Sequence, residues 1–557
     1  MSIAGSRDHR PGPGGQAESR RSLPPGGCLF RDTLWRKAVL LAALFVGTVV
    51  LRLASGPHAV DDAYITFRYA ANFVAGQGLV YNAGERVLGT SAPLFAVILG
   101  VASWTTGVDN FPLLALWINA IADGFSVLLV LPIAKRLGIP NWGAVTTGLI
   151  LGVSPLVIRY SIGGMETSIV VLLSLLAVYS HLIGTRVLPF HLAGLATWVR
   201  PDALALGAAL LVSEGIATRG FPFRRLLILL TWVLLLTVAL TIGYGIPIPH
   251  SVLAKAGQVY TVKPLTNFFQ FVYLFAGLTP MGVQGFGARV FVIDPSAPLN
   301  RFAVGLLIPL GFTWATGVRR LWAVSPRAVV IPAYVAFLVA GYSTLGLRGS
   351  LMAEWYLVPL TPFWGLPLVA GLVALQERFP GAASRVLSFT LAVLLVVLPI
   401  SATSWLRDAH QPPTLPLNVW VEREGLYLLA AEFLRDRIEA GDVVAAPEIG
   451  ALGYACGCSV LDTVGLISPA ALSFYPAPEQ DGSANYSVPV RLVEALKPDY
   501  LVTLDVFIRS SLLQDRRFQS IYREIWAAET TAFSSRRLIV YERFEPAAEQ
   551  SLPTGTR

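Results

Sequence analysis

The 557-residue chain is poor in charged residues. Lys, Arg, Asp and Glu make up 14% of it, whereas soluble globular domains carry about 25% charged residues. Hydrophobic residues make up 54%, and several apolar runs approach the ~20 residues that cross the hydrocarbon core of a bilayer. The shortage of charge excludes a soluble globule of this size. The sequence therefore predicts a polytopic α-helical membrane protein.

Cysteine is also scarce. The chain has three cysteines, Cys28, Cys456 and Cys458. Cys28 lies in the N-terminal tail, and a disulfide across Cys-x-Cys closes a very small ring with strained geometry. We therefore expect no disulfide framework, and the spacing matches no zinc motif.

The two parts of the chain differ in charge. Residues 1–404 hold 28 Lys and Arg against 14 Asp and Glu, a net charge of +14, while residues 405–557 hold 14 against 20, a net charge of −6. Lys and Arg in short loops remain on the cytoplasmic side of a membrane. The positive excess thus follows from membrane topology, and we expect no nucleic-acid partner.

Basic clusters predict the order and orientation of the segments. Arg36 and Lys37 precede the first apolar run, so the N-terminus is expected in the cytoplasm. That run lacks a small-residue cleavage site, which favours an uncleaved anchor. The predicted segments are a disordered basic tail (1–35), a membrane domain (36–404) with an outer loop (56–110), and an extracytoplasmic α/β domain (405–557). About eleven spans are expected, near 37–55, 111–133, 141–160, 167–184, 187–199, 202–217, 226–246, 302–318, 328–347, 356–376 and 386–404.

Three apolar regions depart from simple spans. Residues 92–104 and 268–278 are short and adjoin Gly and Pro, so we expect re-entrant or interfacial helices. The short segments 187–199 and 202–217 meet at Arg200-Pro201-Asp202. If both are half-length helices, the turn between them lines a polar cavity within the membrane; the alternative is one span and a different count.

The C-terminal region alternates short apolar strands with helices. Strands are predicted at 442–446, near 459–461, at 500–504 and at 537–543, and helices at 426–439 and 491–496. This order predicts a small α/β domain. Glu448 and Asp462 are interpreted as turn and surface residues.

An acidic pair follows the first span. Asp61 and Asp62 open the stretch Asp-Asp-Ala-Tyr-Ile-Thr-Phe-Arg-Tyr-Ala. One aspartate is explained as the N-cap of a following helix, but capping does not explain two. An acidic pair at a membrane exit suits a general base beside a lipid-borne substrate, or a cation site.

This stretch also carries a family resemblance. Residues 61–72, 76–87 and 89–95 resemble the first outer loop of GT-C glycosyltransferases, and within them the group that contains the terminal arabinofuranosyltransferases of arabinan cell walls. Shorter pieces agree: Gly-Met-Glu-Thr (164–167), Arg-Pro-Asp (200–202), Pro-His-Ser-Val-Leu-Ala-Lys (249–255), Glu-Trp-Tyr-Leu-Val-Pro-Leu (354–360) and residues 450–466. The likeness runs from about residue 37 to about residue 505.

The resemblance implies an activity and roles for residues. GT-C enzymes transfer a sugar from a polyprenyl-phosphate donor at the outer membrane face, with an Asp of the first outer loop as base. That role falls on Asp61 or Asp62. A bacterial inner-membrane location, a cell-envelope glycan or glycolipid acceptor and arabinofuranose as the sugar are implied in the same way. Some branches use a divalent metal ion and others do not, so a possible metal ion stays open.

Two further sets of candidates accompany the acidic pair. For the donor phosphate they are Lys255, Arg200, Arg86, Arg348 and His250. For other substrate groups they are Tyr64, Arg68, Glu166, Asp202, Glu354 and Tyr356. Several have a simpler alternative: interfacial snorkelling for Lys255, a salt bridge between Arg200 and Asp202, pairing with Glu85 for Arg86, loop charge for Arg348, the helix dipole for Glu166, and an interfacial aromatic belt for Tyr356.

Two other functions are weighed against transfer. A transporter or lipid flippase explains many spans and a polar turn at the midplane, but no inverted repeat is visible, and the polar motifs gather on one side. A non-catalytic scaffold for glycan assembly keeps the fold without the chemistry.

Overall fold

The computed structural model describes residues 26–257, 298–347, 354–401, 419–475 and 487–544. Within these ranges the side chains of Lys255 and Glu354 are not described. The predicted tail before residue 26, the apolar stretch 268–278, Arg348 and the domain boundary at 405 lie outside the described residues. The chain divides into two units, Met1–Ala43, which holds the beginning of the first helix, and Leu44–Arg557.

Helices make up the described chain as far as residue 401. They are α1 (Gly26–Leu53), α2 (Asp61–Val74), α3 (Pro93–Thr106), α4 (Phe111–Arg136), α5 (Asn141–Val153), α6 (Pro155–Ile162), α7 (Thr167–Leu182), α8 (Leu188–Val199), α9 (Leu204–Thr218), α10 (Phe223–Tyr244), α11 (His250–Gly257), α12 (Pro298–Val324), α13 (Val330–Leu347), α14 (Thr361–Arg378) and α15 (Ala382–Ser401). Short 3₁₀ turns at Pro201–Ala203, Pro326–Val329 and Glu354–Leu360 precede α9, α13 and α14.

The long apolar helices fit a membrane. Among the described residues, five helical segments are long and apolar enough to cross a bilayer: Phe111–Arg136, Pro201–Thr218, Phe223–Tyr244, Pro326–Thr344 and Trp355–Arg378. A sixth is possible if α5 and α6, which are bent by 47°, form one broken span. The predicted count of eleven is not confirmed. The stretch 92–104 is a short helix, α3, as its length suggested.

Two sequence features interrupt the helices where the chain changes direction. The bend between α5 and α6 falls at Ser154, whose hydroxyl accepts the N–H of Val157 and caps α6. The predicted break at Arg200 is confirmed, because α8 ends at Val199 and Arg200 is extended, with φ −151°. Pro201 then opens the 3₁₀ turn that leads into α9, which fits the preference of proline for the first turn of a helix.

The C-terminal region is an α/β domain. Its helices are α16 (Val419–Arg435), α17 (Gly450–Cys456), α18 (Val490–Leu496) and α19 (Arg516–Ile521), and its strands are β1 (Val443–Ala446), β2 (Ser459–Asp462), β3 (Tyr500–Leu504), β4 (Tyr522–Glu529) and β5 (Arg537–Arg543). The sheet order is β2-β1-β3-β5-β4. β1 pairs in parallel with β2 and β3, whereas β5 pairs antiparallel with β3 and β4.

Four of the five strands were predicted, and β4 was missed. Its sequence, Tyr-Arg-Glu-Ile-Trp-Ala-Ala-Glu, mixes charged and apolar residues, because it is an edge strand paired on one side only. Charged side chains protect such an edge from pairing with other chains. They also weaken the alternating pattern from which strands are predicted.

The α/β domain shares a core with the membrane helices. A single cluster of buried apolar residues includes Val171 of α7, Phe67 of α2, and Leu452 and Val502 of the domain. The opposite face of the sheet buries a second cluster that includes Leu501 and Ile539. The domain therefore packs directly on α2, the helix that carries the acidic pair.

Candidate active site

The acidic pair occupies the first turn of α2. Val60 is the N-cap, so neither aspartate has the predicted capping position. The backbone N–H of Val60 donates to the carbonyl of Gly163 at 3.1 Å, which fixes the start of α2 against the loop before α7. Asp61 is buried and Asp62 is half-buried. The two neighbouring carboxylates therefore lie in different environments.

Asp61 is bound by the α/β domain. Its Oδ1 accepts the N–H of Ala451 at 3.1 Å, at the start of α17. Its own N–H donates to Oε1 of Glu424 at 2.8 Å. Glu424 of the domain thus binds the N-terminal turn of α2, and Asp61 of α2 binds the N-terminal turn of α17. Unpaired N–H groups and the helix dipole favour negative charge at both positions.

Gly450 permits this close approach. A Cβ at position 450 would lie 2.7 Å from Oδ1 of Asp61 and closer still to its carbonyl oxygen. Side chains larger than hydrogen would therefore force α17 away from α2. Packing against the acidic motif therefore explains Gly450, the first glycine of the Gly-Ala-Leu-Gly-Tyr stretch.

A buried arginine joins the carboxylates at this contact. Arg423 donates from Nε and Nη2 to both oxygens of Glu424, at 2.7 and 2.9 Å, and from Nη1 to Oε1 of Glu448 at 2.7 Å. Its guanidinium lies 5.2 Å from the ring centroid of Phe533. We call Arg423, Glu424, Glu448 and Asp61 the interface cluster.

The interface cluster contains three carboxyl groups and one guanidinium. Burial raises the pKa of Glu424 to about 7, against the lowering effect of Arg423. Burial also raises the pKa of Glu448 well above its ordinary value and raises that of Asp61. One guanidinium cannot offset three buried carboxylates, so part of the cluster holds protons near neutral pH.

Two predicted substrate-binding residues of α2 also face the domain. Arg68 is buried and donates from Nε to the carbonyl of Tyr81 at 2.7 Å and from its two terminal nitrogens to the carbonyls of Gly453 and Cys458. The Tyr64 ring packs against Tyr454 with centroids 5.4 Å apart. These contacts give both residues a structural role, and substrate binding by either stays a prediction.

A second buried cluster lies among the membrane helices. Arg200 donates from Nε and Nη2 to both oxygens of Asp202, at 3.0 and 2.9 Å, and from Nη1 to Oε1 of Glu166 at 3.0 Å. Tyr342 donates to Asp202 at 2.6 Å. The Tyr356 ring lies 4.7 Å from the Arg200 guanidinium and stacks on Tyr342 at 4.9 Å. We call these five residues the membrane cluster.

The membrane cluster unites four residues predicted from sequence. Arg200, Glu166, Asp202 and Tyr356 come together, and the predicted salt bridge between Arg200 and Asp202 is present. Tyr342 was missed, since a lone tyrosine in an apolar helix carries no signal of its own. Because Asp202 and Glu166 already neutralise the Arg200 guanidinium, Arg200 is a weaker candidate for binding the donor phosphate.

Asp62 is electrostatically coupled to both clusters. Its charge adds to the effects that raise the pKa of Glu448, and it lies within electrostatic range of Glu166. Gly164, with φ +72°, brings the loop before Glu166 so close to α2 that a Cβ there would be 2.6 Å from Phe67. The half-buried Asp62 thus lies within electrostatic range of a carboxylate in each of the two clusters.

The remaining phosphate candidates lie on the 56–110 loop and on α11. Arg86 is exposed, and its neighbour Glu85 accepts a hydrogen bond from Asn82 at 3.1 Å. His250 binds the loop backbone, because its N–H donates to Leu88 at 2.9 Å and its Nδ1 accepts the N–H of Leu88 at 3.3 Å. This contact seats α11 beside the loop.

Lys255 and Glu354 are placed by their backbones alone. Lys255 lies in α11, five residues after His250. Glu354 opens the 3₁₀ turn that carries Tyr356. Their proposed roles in binding the donor and the sugar stay predictions.

Two carboxylates interpreted as turn and surface residues are in fact buried. Glu448 belongs to the interface cluster. The Asp462 carboxylate accepts the N–H groups of Val464 at 2.8 Å, Ile467 at 3.0 Å and Leu466, because the turn after β2 directs three amides inward. Glu448 follows β1 and Asp462 ends β2, so both lie at the carboxyl ends of parallel strands, where α/β proteins place functional groups. That position is the signal that sequence reasoning passed over.

The expectation about cysteine is also wrong. Cys456 and Cys458 form a disulfide with their Cα atoms 5.2 Å apart, a separation within the usual range. Gly457, between them, has φ +67°, a conformation that glycine adopts without strain. The glycine lets the short ring close at the end of α17.

Other buried charges have structural partners. Arg52 of α1 donates to Asp123 of α4 at 2.9 Å and to the carbonyl of Gly152 at 2.5 Å. In the described part of the chain, no three or more His, Cys, Asp or Glu side chains are grouped to hold a metal ion. Arg423 takes the place of a cation among the interface carboxylates. The described interface carboxylates therefore do not fit a divalent ion.

Solved structures with similar folds cover nearly the whole chain. The Archaeoglobus fulgidus oligosaccharyltransferase tethered to an acceptor peptide matches 93% of this chain and 75% of its own, with a TM-score of 0.54 and 12% identity. ArnT from Cupriavidus metallidurans bound to undecaprenyl phosphate matches 91% of this chain and 98% of its own, with a TM-score of 0.50 and 13% identity. The chain therefore has the GT-C membrane fold.

Sequence comparison adds a more particular relative. A terminal β-(1→2)-arabinofuranosyltransferase of Mycobacterium tuberculosis is 27% identical over 251 residues, which cover 41% of this chain and 39% of that protein. The match thus spans well under half of the relative's length. Residues 419–546 match a domain of unknown function, DUF8728.

Proposed function

We propose that the protein is a membrane glycosyltransferase that moves a sugar from a polyprenyl-phosphate donor to an acceptor hydroxyl. The observation that carries the proposal is the half-buried Asp62, which lies within electrostatic range of two arginine–carboxylate clusters in a GT-C fold. ArnT, which has this fold, is recorded with undecaprenyl phosphate, and the archaeal oligosaccharyltransferase AglB with a dolichol-phosphate. The donor is proposed by analogy with these ligands.

Asp62 is proposed as the general base. The Asp61 carboxylate is buried and bonded to the α/β domain, so it is poorly placed to take a proton from a substrate. Asp62, half-buried beside it, removes the proton of the acceptor hydroxyl as the oxygen attacks the anomeric carbon. The bond between that carbon and the phosphate oxygen breaks, and polyprenyl phosphate leaves with the electron pair.

The leaving phosphate needs cations at the membrane surface. Lys255 and Arg86 are proposed for this role. The contact between His250 and Leu88 seats α11 beside the 56–110 loop, so both cations belong to adjacent elements. Arg348, outside the described residues, remains a further candidate.

Arabinofuranose is the proposed sugar, and a cell-envelope glycan or glycolipid the proposed acceptor. The partial match to the arabinofuranosyltransferase supports the sugar. The corresponding location is the bacterial inner membrane, with a cytoplasmic N-terminus and an extracytoplasmic α/β domain. Basic clusters in the predicted cytoplasmic loops support this orientation.

A donor screen tests the proposal. Full-length protein in nanodiscs is supplied with short polyprenyl-phosphate sugars, arabinofuranose among them, and with an arabinan oligosaccharide, and release of polyprenyl phosphate is measured. Release from one donor, reduced about 100-fold or more in Asp62→Asn, is the expected result. Asp61→Asn should lose less activity, because it loosens a contact without removing the base.

Two outcomes would contradict the proposal. Undiminished release in Asp62→Asn removes the assigned base. No release from any donor by folded wild-type protein, with several acceptors tried, favours the transporter, flippase or scaffold functions instead.

A further inference from the structure

The interface cluster lies outside the groups that act directly in the proposed reaction. It is nevertheless buried and closely hydrogen-bonded. Arg423, Glu424, Glu448 and Asp61 are all buried, and all three guanidinium nitrogens of Arg423 donate within 3 Å. Buried ion pairs contribute little net stability compared with apolar packing. Net stability alone therefore does not explain the cluster.

A short chain of contacts leads from Arg423 to Asp62. Arg423 holds both oxygens of Glu424. Oε1 of Glu424 accepts the backbone N–H of Asp61, which is the first residue of α2. Asp62 is the next residue on the same turn. The backbone turn that carries Asp62 is thus held by Arg423 through one carboxylate.

A second chain of contacts acts on the same turn. Arg423 also binds Glu448, in the loop that leads from β1 to α17. The first N–H groups of α17 hold the Asp61 carboxylate. Both routes start at one guanidinium and end at the first turn of α2. Loss of Arg423 would leave three buried carboxyl groups without their cation.

We propose that Arg423 is a positioning residue of the catalytic centre, through which the docked α/β domain orients Asp62 for proton transfer. The α/β domain is accordingly part of the catalytic apparatus. The inference rests on the proposed function, in which Asp62 is the base. It assigns Arg423 no contact with substrate.

Charged and titratable groups surround this turn on every side. From α2 they are Asp61, Asp62 and Tyr64; from α16, Arg423, Glu424 and Tyr427; from the β1–α17 loop and α17, Glu448 and Tyr454; from the 56–110 loop, Tyr81; and from the loop before α7, Glu166. Arg423 is the cation that lowers the pKa of Asp61, Glu424 and Glu448. Its removal raises those pKa values, so protons stay on the cluster to higher pH.

The test compares Arg423→Gln and Arg423→Lys with a matched control. Arg517→Gln is that control, because Arg517 forms an exposed bridge with Glu494 at 3.0 Å in the same domain. Full-length proteins in nanodiscs are assayed for kcat, donor KM and the pH profile of kcat, and amide hydrogen exchange of residues 61–74 is measured. Arg423→Gln should lower kcat about 10- to 100-fold and leave donor KM within about twofold.

Two further readouts separate positioning from simple stability. The acidic limb of the kcat profile should move to higher pH in Arg423→Gln, and residues 61–74 should lose exchange protection. Arg423→Lys should restore part of kcat and of the profile, while Arg517→Gln matches the wild type. A merely structural Arg423 would reduce the yield of folded enzyme without moving the pH profile of the folded fraction.

Failure of this inference is distinguishable from failure of the proposed function. If wild-type protein releases polyprenyl phosphate but Arg423→Gln keeps its kcat and pH profile, the positioning role is overturned and the proposed function stands. If the wild type shows no transfer, the proposed function is contradicted, and amide hydrogen exchange then tests whether Arg423 positions the first turn of α2. Unchanged protection of residues 61–74 overturns it, and selective loss supports it.

Discussion

The membrane cluster and the interface cluster have the same construction. In each, an arginine gives two nitrogens to a carboxylate close in sequence, Asp202 or Glu424, and the third to a distant one, Glu166 or Glu448. An aromatic ring lies against each guanidinium. Such bidentate pairs fix geometry as well as charge. A carboxylate of each cluster lies within electrostatic range of Asp62.

Their surroundings differ, and the difference separates stability from positioning. The membrane cluster ties α8, α9, α7 and α13 together within one helical bundle. The interface cluster connects Asp61 of α2 to Glu424 of a domain that lies more than 350 residues later in the chain. We therefore expect damage to the first to unfold the membrane domain, and damage to the second to uncouple two folded parts.

Arg200→Gln should produce the largest effect. It leaves the buried Glu166 and the half-buried Asp202 without a cation, and breaking a buried ion pair in this way costs about 3–5 kcal/mol. The measurement is the yield of monodisperse protein in detergent, with its thermal midpoint from tryptophan fluorescence. Arg320→Gln is the control, since its bridge to Glu377 is partly exposed. A thermal midpoint equal to that of the control would contradict a supporting role for the membrane cluster.

The pH dependence of stability should distinguish the interface cluster. Burial raises the pKa of Glu424 to about 7 from an ordinary value of 4.5, so the folded protein holds this proton more tightly than the unfolded chain. The free energy of unfolding should then fall by about 3 kcal/mol as pH rises from about 4.5 to about 7, and level off above.

Glu424→Gln isolates this effect. The amide cannot ionise, so the thermal midpoint of the variant should depend less on pH between 5 and 7 than that of the wild type. Glu494→Gln, at an exposed bridge of the same domain, is the control and should keep the wild-type slope. Equal slopes in all three proteins would mean that Glu424 is ionised throughout.

The two clusters also differ in how far sequence predicts them. Arg200, Asp202 and Glu166 stand out because charge is rare in an apolar stretch and costly there. Arg423, Glu424 and Glu448 lie in the charged C-terminal region, where acids and bases are usually solvated and no local pattern marks burial. Their partner, Asp61, is more than 360 residues away, so only the fold shows that they meet.

Element types were predicted better than their assembly. The helices near 111–133, 167–184 and 226–246 and the strand at 500–504 follow from apolar periodicity and length. The docking of α17 on α2 does not, because it depends on the absence of a side chain at Gly450. Tertiary contacts of this kind leave no periodic signal in the sequence.

Gly450→Ala tests that docking with the smallest possible change. The added methyl group would meet the backbone and carboxylate of Asp61, and overpacking of this kind costs about 1–3 kcal/mol. We expect residues 61–74 and 450–456 to lose exchange protection while α4 keeps its own. Gly425→Ala is the matched control: a Cβ there meets open space within α16, so it should stabilise the helix slightly. Equal protection in both variants would show that α17 can shift without disturbing α2.

Tyr342→Phe should have the smallest effect and tests whether the membrane cluster depends on its third partner. The variant loses the hydroxyl that donates to Asp202 at 2.6 Å but keeps the ring that stacks on Tyr356. Because Arg200 still holds both oxygens of Asp202, the loss should be about 1 kcal/mol, measured as a lower thermal midpoint. Tyr356→Phe is the control, since its ring face contacts Arg200 and Tyr342 and phenylalanine retains that face. A decrease in thermal midpoint as large as that of Arg200→Gln would mean that Tyr342, rather than the Arg200 guanidinium, holds Asp202 in place. The membrane cluster would then differ from the interface cluster, in which the arginine holds the carboxylates.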